Sequence, residues 1–271
     1  MKKITQAVIL AGGIGSRLSP LTNYLPKPLL PINGKPVLSQ VIDNIAEAGI
    51  TEIIINVDYK KEMIEEFIKK KYCKKNNYNL NIILHDTSID KSEEYASRKE
   101  TTKGVAISIY NTRKLLKDDF LLCAADTIFE KEYLKRIINY YEKNNSLATL
   151  STTNLERKED IVKKSCVVID NNNNITRIIE KPELEEVLST IVSTPLYLFN
   201  KKIINYIPKI NLSRRGEYEL QSAIQLMIDD KLLVKGYMNT KWNNLNNWKM
   251  LNDCEDFLKL NFRYIKDQLV R

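Results

Sequence analysis

Residues 6–22 read QAVILAGGIGSRLSPLT. The first five, Gln6–Leu10, are a short apolar run of the kind that fills a buried parallel strand. Directly behind it, Gly12, Gly13 and Gly15 fall within four positions, in a chain that has only eight glycines among 271 residues. A chain this sparing of glycine has a backbone reason to gather it after a strand. Backbone N–H groups with no Cβ in the way can cradle phosphate oxygens. Two familiar glycine motifs do not fit. A P-loop needs Gly-Lys followed by Ser or Thr, which is absent. A dinucleotide fingerprint needs a third glycine where Leu18 stands. Arg17 follows the loop, and Pro26-Lys27-Pro28 lies ten residues on. Prolines fix the backbone around a lysine, and two cations beside a glycine cradle suggest a triphosphate.

Working outward, the pattern alternates. Residues 11–36 hold five of the eight prolines and read as a loop. Val37 to Ala48 predicts a helix with Val37, Leu38, Val41, Ile42 and Ile45 on one face, ended by Gly49. Ile53 to Val57 predicts a strand, Lys61 to Lys71 a helix, Leu80 to Leu84 a strand, Gly104 to Leu116 a helix and Phe120 to Ala125 another buried strand. Strands alternating with helices mean an α/β fold with a parallel sheet. Sites in such sheets form at the carboxyl ends of strands. Two segments qualify: the loop after Leu10, and Asp126 behind Phe120–Ala125. A carboxylate there is costly to bury unless it is paired or metal-bound, and Mg²⁺ takes one or two carboxylates plus phosphate oxygens. The alternative for Asp126 is the N-cap of a helix starting at Ile128.

The second half changes character. Ala148–Thr152, Ser165–Ile169, Ile175–Ile179, Leu196–Phe199 and Leu232–Tyr237 read as strands, with Asn171–Asn174 as a hairpin turn. Glu219–Ile228 and the chain from Trp248 onward read as helices. No repeat or flexible linker appears. One domain with a shared sheet is expected, with lobes 1–146 and 147–271.

Composition excludes several classes. Hydrophobic content of 43% and charged content of 28% are those of an ordinary globular chain. The net charge of +8 raises nucleic-acid binding, but 42 basic residues stand against 34 acidic ones. Lys60, Lys61, Lys69, Lys70 and Lys71 sit among Glu62, Glu65 and Glu66, a solvated helix face rather than a basic stripe. No nucleic acid is expected as partner. The single histidine, His85, rules out a Ser-His triad or a multi-His zinc site. Cys73, Cys123, Cys166 and Cys254 form no CxxC pair, which fits free thiols in a reducing compartment. No apolar stretch reaches the length of a membrane span. A cytoplasmic protein with no membrane partner is expected.

The stretch LAGGIGSRLSPLTNYLPKPLLPINGKPVLSQVI resembles the signature of the sugar-1-phosphate nucleotidyltransferases. Their pattern is LAGG-x-G-[ST]-R-L-x-P-L-T, then P-K-P-L-L-P, then x-K-P. Further echoes follow: Thr102-Lys-Gly104-Val-Ala106, Ala125-Asp126, Glu180-Lys181-Pro182, Arg215-Gly216-Glu217-Tyr218-Glu219 and Trp242-Asn243-Asn244. The resemblance covers essentially the whole chain and is to members without an added left-handed β-helix. It implies a Rossmann-like nucleotidyltransferase fold with a mostly parallel central sheet flanked by helices. It also implies an activity. A sugar-1-phosphate oxygen attacks the α-phosphorus of an NTP, giving an NDP-sugar and pyrophosphate, with Mg²⁺ as cofactor and homo-oligomers common. UTP or dTTP with a glucose-type or N-acetylhexosamine-type phosphate leads. The alternatives are a cytidylyltransferase for a sugar or amino-alcohol phosphate, and a catalytically silent regulatory subunit.

The same resemblance implies roles. Leu10, Ala11, Gly12, Gly13, Gly15 and Ser16 hold the nucleotide, with Gly104 near its base. Arg17 neutralises β/γ-phosphate charge and Lys27 acts at the α-phosphate. Asp126 ligates the metal. Glu180, Lys181 and Trp242 serve the sugar phosphate. Three departures stand out. Many members carry a second metal carboxylate in W-x-D, where this chain has Asn244, or Asn246 two residues on. The usual base-reading glutamine is missing near Lys99 and Glu100. Ser165 and Ala125 stand where glycines are expected, which points to an unusual sugar.

Overall fold

The computed structural model describes residues 3–32, 34–73, 80–87, 104–239 and 242–244. In chain order its regular elements begin with β1 (Gln6–Leu10), β2 (Pro31–Ile32), β3 (Lys35–Pro36), α1 (Val37–Glu47), β4 (Glu52–Val57), α2 (Lys61–Ile68) and β5 (Asn81–Asp86). There follow α3 (Val105–Asn111), β6 (Phe120–Ala124), β7 (Thr127–Phe129), α4 (Lys131–Lys143) and β8 (Ala148–Asn154). The rest are α5 (Lys158–Ile161), β9 (Ser165–Ile169), β10 (Ile175–Glu180), β11 (Ile191–Phe199), α6 (Leu220–Asp229), β12 (Val234–Met238) and β13 (Trp242–Asn244).

The uninterrupted apolar runs of the first half become the parallel block β6-β1-β4-β5. Side chains of a strand alternate between faces. Ala7 and Ile9 of β1 enter the core under α1, α2 and α4, while Val8 enters the opposite core with Ile107 of α3 and Ile224 of α6. A sheet covered on both sides needs such continuous hydrophobic strands. The face of α1 is the expected one, with Val37, Leu38, Val41, Ile42 and Ile45 all buried. Each such aliphatic side chain contributes about 1.5–3 kcal/mol by leaving water.

The second half extends the same sheet with antiparallel partners. β11 pairs β9 and then β6 along one edge and β8 along the other, on both sides of its bulge, and β12 joins β8 in parallel. Pro195 falls in the stretch where the β11–β8 register shifts, as a residue lacking an N–H should. The asparagine run turns β9 into β10 as expected, with Asp170 accepting from the N–H groups of Asn172 and Asn174.

Boundaries differ where local chemistry intervenes. Lys61 to Lys71 is α-helical only to Ile68 and then widens into a π turn, Lys69–Cys73. Its charged face is laced by Lys69–Glu65 and Lys70–Glu66 pairs, consistent with a solvated surface. The strand expected over 80–84 runs over Asn81–Asp86, where Asp86 meets Lys61. The helix expected from Trp248 lies outside the described residues. Among the described residues, no helix is long and apolar enough to cross a membrane.

Candidate active site

The carboxyl ends of β1 and β6 lie side by side because the two strands are neighbours in register, Leu10 opposite Ala124. The loops that follow stay tied to the sheet. Ala11 N–H donates to Asn56 O at 2.8 Å and Ala125 N–H to Leu10 O at 2.9 Å. Thus the glycine loop and Asp126 leave the sheet at the same edge. Gly12 runs against the next strand end, where an added Cβ would stand 3.0 Å from Asp58 Cβ, whereas an added Cβ on Gly13 would meet open space.

Gly15 has φ +70° and ψ 33°, the left-handed conformation that costs an L side chain energy. It starts the short turn Ser16–Leu18, and its carbonyl accepts from Leu18 N–H and from Thr22 Oγ1. A Cβ there would come within 3.1 Å of Thr22 Cγ2 and 3.2 Å of Lys27 Cβ. The glycine therefore makes room for Lys27. Lys27 opens a 3-10 turn with Pro28 and Leu29 buried beneath it, and its ammonium donates to Asp126 Oδ2. Both side chains are largely withdrawn from water, at 14% and 16% exposed. Residues 99 apart in sequence thus form one ion pair at the foot of the glycine loop. Arg17 is exposed on the turn just beyond.

Asp126 is not a helix cap. It sits in the turn between β6 and β7, and α4 begins only at Lys131 with Glu130 before it. β7 pairs with β13 and puts Asn244 opposite Thr127, one residue from Asp126. Asn246 lies outside the described residues. Thr127 Oγ1 is buried without a hydrogen-bond partner among the described residues. Carboxylate and hydroxyl are both oxygen donors, the kind that a hard divalent cation prefers. No cluster of three or more His, Cys, Asp or Glu side chains suited to a metal occurs among the described residues, so phosphate oxygens would have to complete such a shell.

A second group of side chains gathers where β9, β10 and α6 meet. Ser165 lies opposite Glu180, and its hydroxyl donates to Glu180 Oε2. Gln221 Nε2 donates to Ser165 Oγ at 3.0 Å and to the buried Tyr197 Oη at 3.4 Å. Burial pushes the Tyr197 phenol up and keeps it neutral. Arg215 links Glu219 Oε1 at 2.9 Å, Glu217 Oε2 at 3.2 Å and Glu180 Oε1 at 3.6 Å. Burial raises the Glu219 carboxyl above the ordinary range, the nearby Glu180 and Glu217 add to this, and Arg215 and Ser213 oppose it. Lys181 has a left-handed backbone, φ 42°, and its N–H donates to Lys164 O at 2.8 Å.

Gly104 joins the two halves. Its φ of +126° opens α3, and a Cβ there would collide with Tyr218 O at 2.3 Å and Tyr218 N at 2.6 Å. Ala106 N–H donates to the same Tyr218 carbonyl at 3.3 Å. The Gly104–Ala106 segment is therefore seated on the Arg215–Glu219 segment.

The structure brings together Gly12, Gly15, Lys27 and Asp126, and separately Glu180 with Arg215 and Glu219. Sequence reading missed Lys164, Gln221 and Tyr197. Lys164 is half-buried. Burial first, then Arg17 and Lys27, hold its ammonium below the usual lysine range, while Asp126 and Glu180 oppose them. The signal that could have found it is hairpin register, because Lys164 lies across the ladder from Lys181.

The family model described as nucleotidyl transferase matches residues 6–261. A bifunctional protein GlmU of Methanococcus maripaludis is 28% identical over 257 residues, covering 93% of this chain and 54% of that protein. The chain therefore spans about half the length of such relatives. The UTP–glucose-1-phosphate uridylyltransferase AglF of Haloferax volcanii is 31% identical over 223 residues, covering 82% of this chain and 83% of that one. In fold, the chain is similar to a UDP-glucose pyrophosphorylase crystallised with UDP-glucose, with a TM-score of 0.76 at 18% identity. The match covers 97% of this chain and 99% of that one.

Proposed function

The chain belongs to the nucleotidyl transferase family, and we propose that it transfers a nucleotidyl group from an NTP to a sugar-1-phosphate, yielding an NDP-sugar and pyrophosphate. The observation that carries this reading is the Lys27–Asp126 pair beneath a glycine turn that leaves it room. Such transfer needs charge neutralisation and in-line positioning rather than a covalent nucleophile. A lysine and a carboxylate withdrawn from water supply both signs at one point. Each neutralises the other in their ion pair. With substrates bound, Lys27 turns to the α-phosphate, where negative charge develops. Mg²⁺ held by Asp126, with phosphate oxygens and the amide of Asn244 or Asn246, would screen the charge on the reacting phosphates. The opposition of Asn244 and Thr127 favours position 244.

Gly12, Gly13 and Gly15, with Leu10, Ala11 and Ser16, form the nucleotide cradle, and exposed Arg17 meets the departing pyrophosphate. Gly104 borders the base. Glu180 receives sugar hydroxyls, with Lys181 and Trp242 beside the sugar phosphate. UTP or dTTP is the nucleotide, with a glucose-type or N-acetylhexosamine-type acceptor. Relatives named uridylyltransferase support the first choice. Free Cys73, Cys123 and Cys166 suit the reducing cytoplasm.

The test is pyrophosphate release from each NTP with Mg²⁺ and a panel of sugar-1-phosphates. One base and one sugar class should stand out. Retained NTP binding with no release from any pair would instead mark a silent subunit.

A further inference from the structure

Lys164 belongs to none of the motifs, yet it faces the same charges. It precedes β9, and the hydrogen bond from Lys181 N–H to its carbonyl carries the β9–β10 ladder one step past the Ser165–Glu180 pair. The ladder holds its backbone at this end of the sheet, and Ser165, bonded to Glu180 and Gln221, fixes the next residue. Its half-buried ammonium lies within electrostatic reach of Arg17 and Lys27 from the first loop, Asp126 behind β6 and Glu180 on β10. Lys164 therefore stands among charges of both signs drawn from three segments, and cations gathered in this way favour the arrival of an anion. The position also spans the two halves of the site. Glu180 belongs to the sugar side, and Lys27 and Asp126 belong to the nucleotide side. The substrate group that must lie between them is the phosphate of the acceptor.

Building on the proposed transferase reading, we propose that Lys164 is a further cation of the reacting site, beside Arg17, Lys27 and Lys181, and binds the phosphate of the sugar-1-phosphate. In the step it serves, an oxygen of that phosphate forms a bond to the α-phosphorus. The bond from the α-phosphorus to the α,β-bridging oxygen breaks, and pyrophosphate leaves with the electron pair. Lys164 screens the attacking dianion from the triphosphate and orients it.

The test compares wild type with Lys164→Met and Lys164→Arg. Acceptor KM is measured at saturating NTP, and NTP KM at saturating acceptor. Direct binding of glucose-1-phosphate and N-acetylglucosamine-1-phosphate is measured by calorimetry without NTP, alongside melting temperature. Lys164→Met should raise acceptor KM about 10–100-fold, the size of one charge-assisted hydrogen bond. NTP KM should move less than about threefold, Tm should hold or rise, and Lys164→Arg should recover most of the loss. An unchanged acceptor KM in folded Lys164→Met overturns the proposal, as does an equal rise in NTP KM. If Lys164→Met does not fold, Lys164→Gln takes its place. If the wild type releases no pyrophosphate with any pair, the transferase reading fails and calorimetry decides on Lys164. Binding lost in the variant supports it. Binding equal in both, or absent from wild type, overturns it.

Discussion

Replacing Gly15 by alanine should damage the site through Lys27 rather than through the nucleotide loop itself. Two costs add. The left-handed backbone at φ +70° penalises an L side chain by about 1–2 kcal/mol. The new methyl would stand 3.1 Å from Thr22 Cγ2 and 3.2 and 3.3 Å from Lys27 Cβ and Cδ, so both neighbours must yield by a few tenths of an ångström. Lys27 cannot yield through its backbone, because Pro26 and Pro28 flank it and Pro28 and Leu29 are buried. The displacement therefore passes to the ammonium and its bond to Asp126. The stability loss comes to roughly 2 kcal/mol, which for a chain of this size lowers Tm by about 4–8 °C. A misplacement of about 1 Å in a reacting group can cost about 10²-fold in rate, so a few tenths of an ångström should cost about tenfold in kcat. Thermal melts and saturating-substrate rates measure the two effects. Gly13→Ala is the control, since its Cβ meets nothing within 4 Å and its φ is not positive, and it should melt like wild type. A Gly15→Ala protein with wild-type Tm and kcat would refute the reasoning.

Gly104→Ala should lose about 3 kcal/mol or more, because its Cβ would meet the Tyr218 carbonyl at 2.3 Å in a backbone region that is essentially glycine-only. A Tm drop of at least about 6 °C is expected, and a melt within 2 °C of wild type would rule out the close seating of these segments. Glu219 carries a raised carboxyl pKa, so the folded state holds its proton at pH values where the unfolded chain, titrating near 4.5, has lost it. Stability then falls as pH rises from about 4.5 through the raised folded value and levels off above it. The Tm of wild type should fall more steeply than that of Glu219→Gln across that window, and parallel curves would contradict the assignment.

How far the sequence reached depends on what kind of interaction each feature needs. The strand–loop–helix grammar of residues 6–49 is local, so apolar runs, glycine positions and the face of α1 were legible. The chain's meeting of Lys27 with Asp126 was not, since it depends on β6 lying beside β1, an ordering that no local pattern encodes. Asp126 offered two readings because an acidic residue behind a strand suits a cap as well as a site. The short strand β7, placed against β13, decided between them. Lys164 carries no motif of its own, and only the pairing of β9 with β10 brings it beside Glu180 and Lys181, a register that shifts between Ile175 and Arg177. Gln221 and Tyr197 converge on Ser165 from α6 and β11, elements whose approach is set by packing alone.

The central claim is that this chain joins an NTP to a sugar-1-phosphate through the Lys27–Asp126 pair. The most direct measurement is the stoichiometric appearance of NDP-sugar and pyrophosphate, followed by chromatography, for wild type and Asp126→Asn. Asn keeps the shape of the side chain and removes its charge. The expected result is one NDP-sugar per pyrophosphate from wild type and a kcat lower by about 10²-fold or more in a variant that melts normally. Equal rates for the two proteins, or pyrophosphate without NDP-sugar, would contradict it.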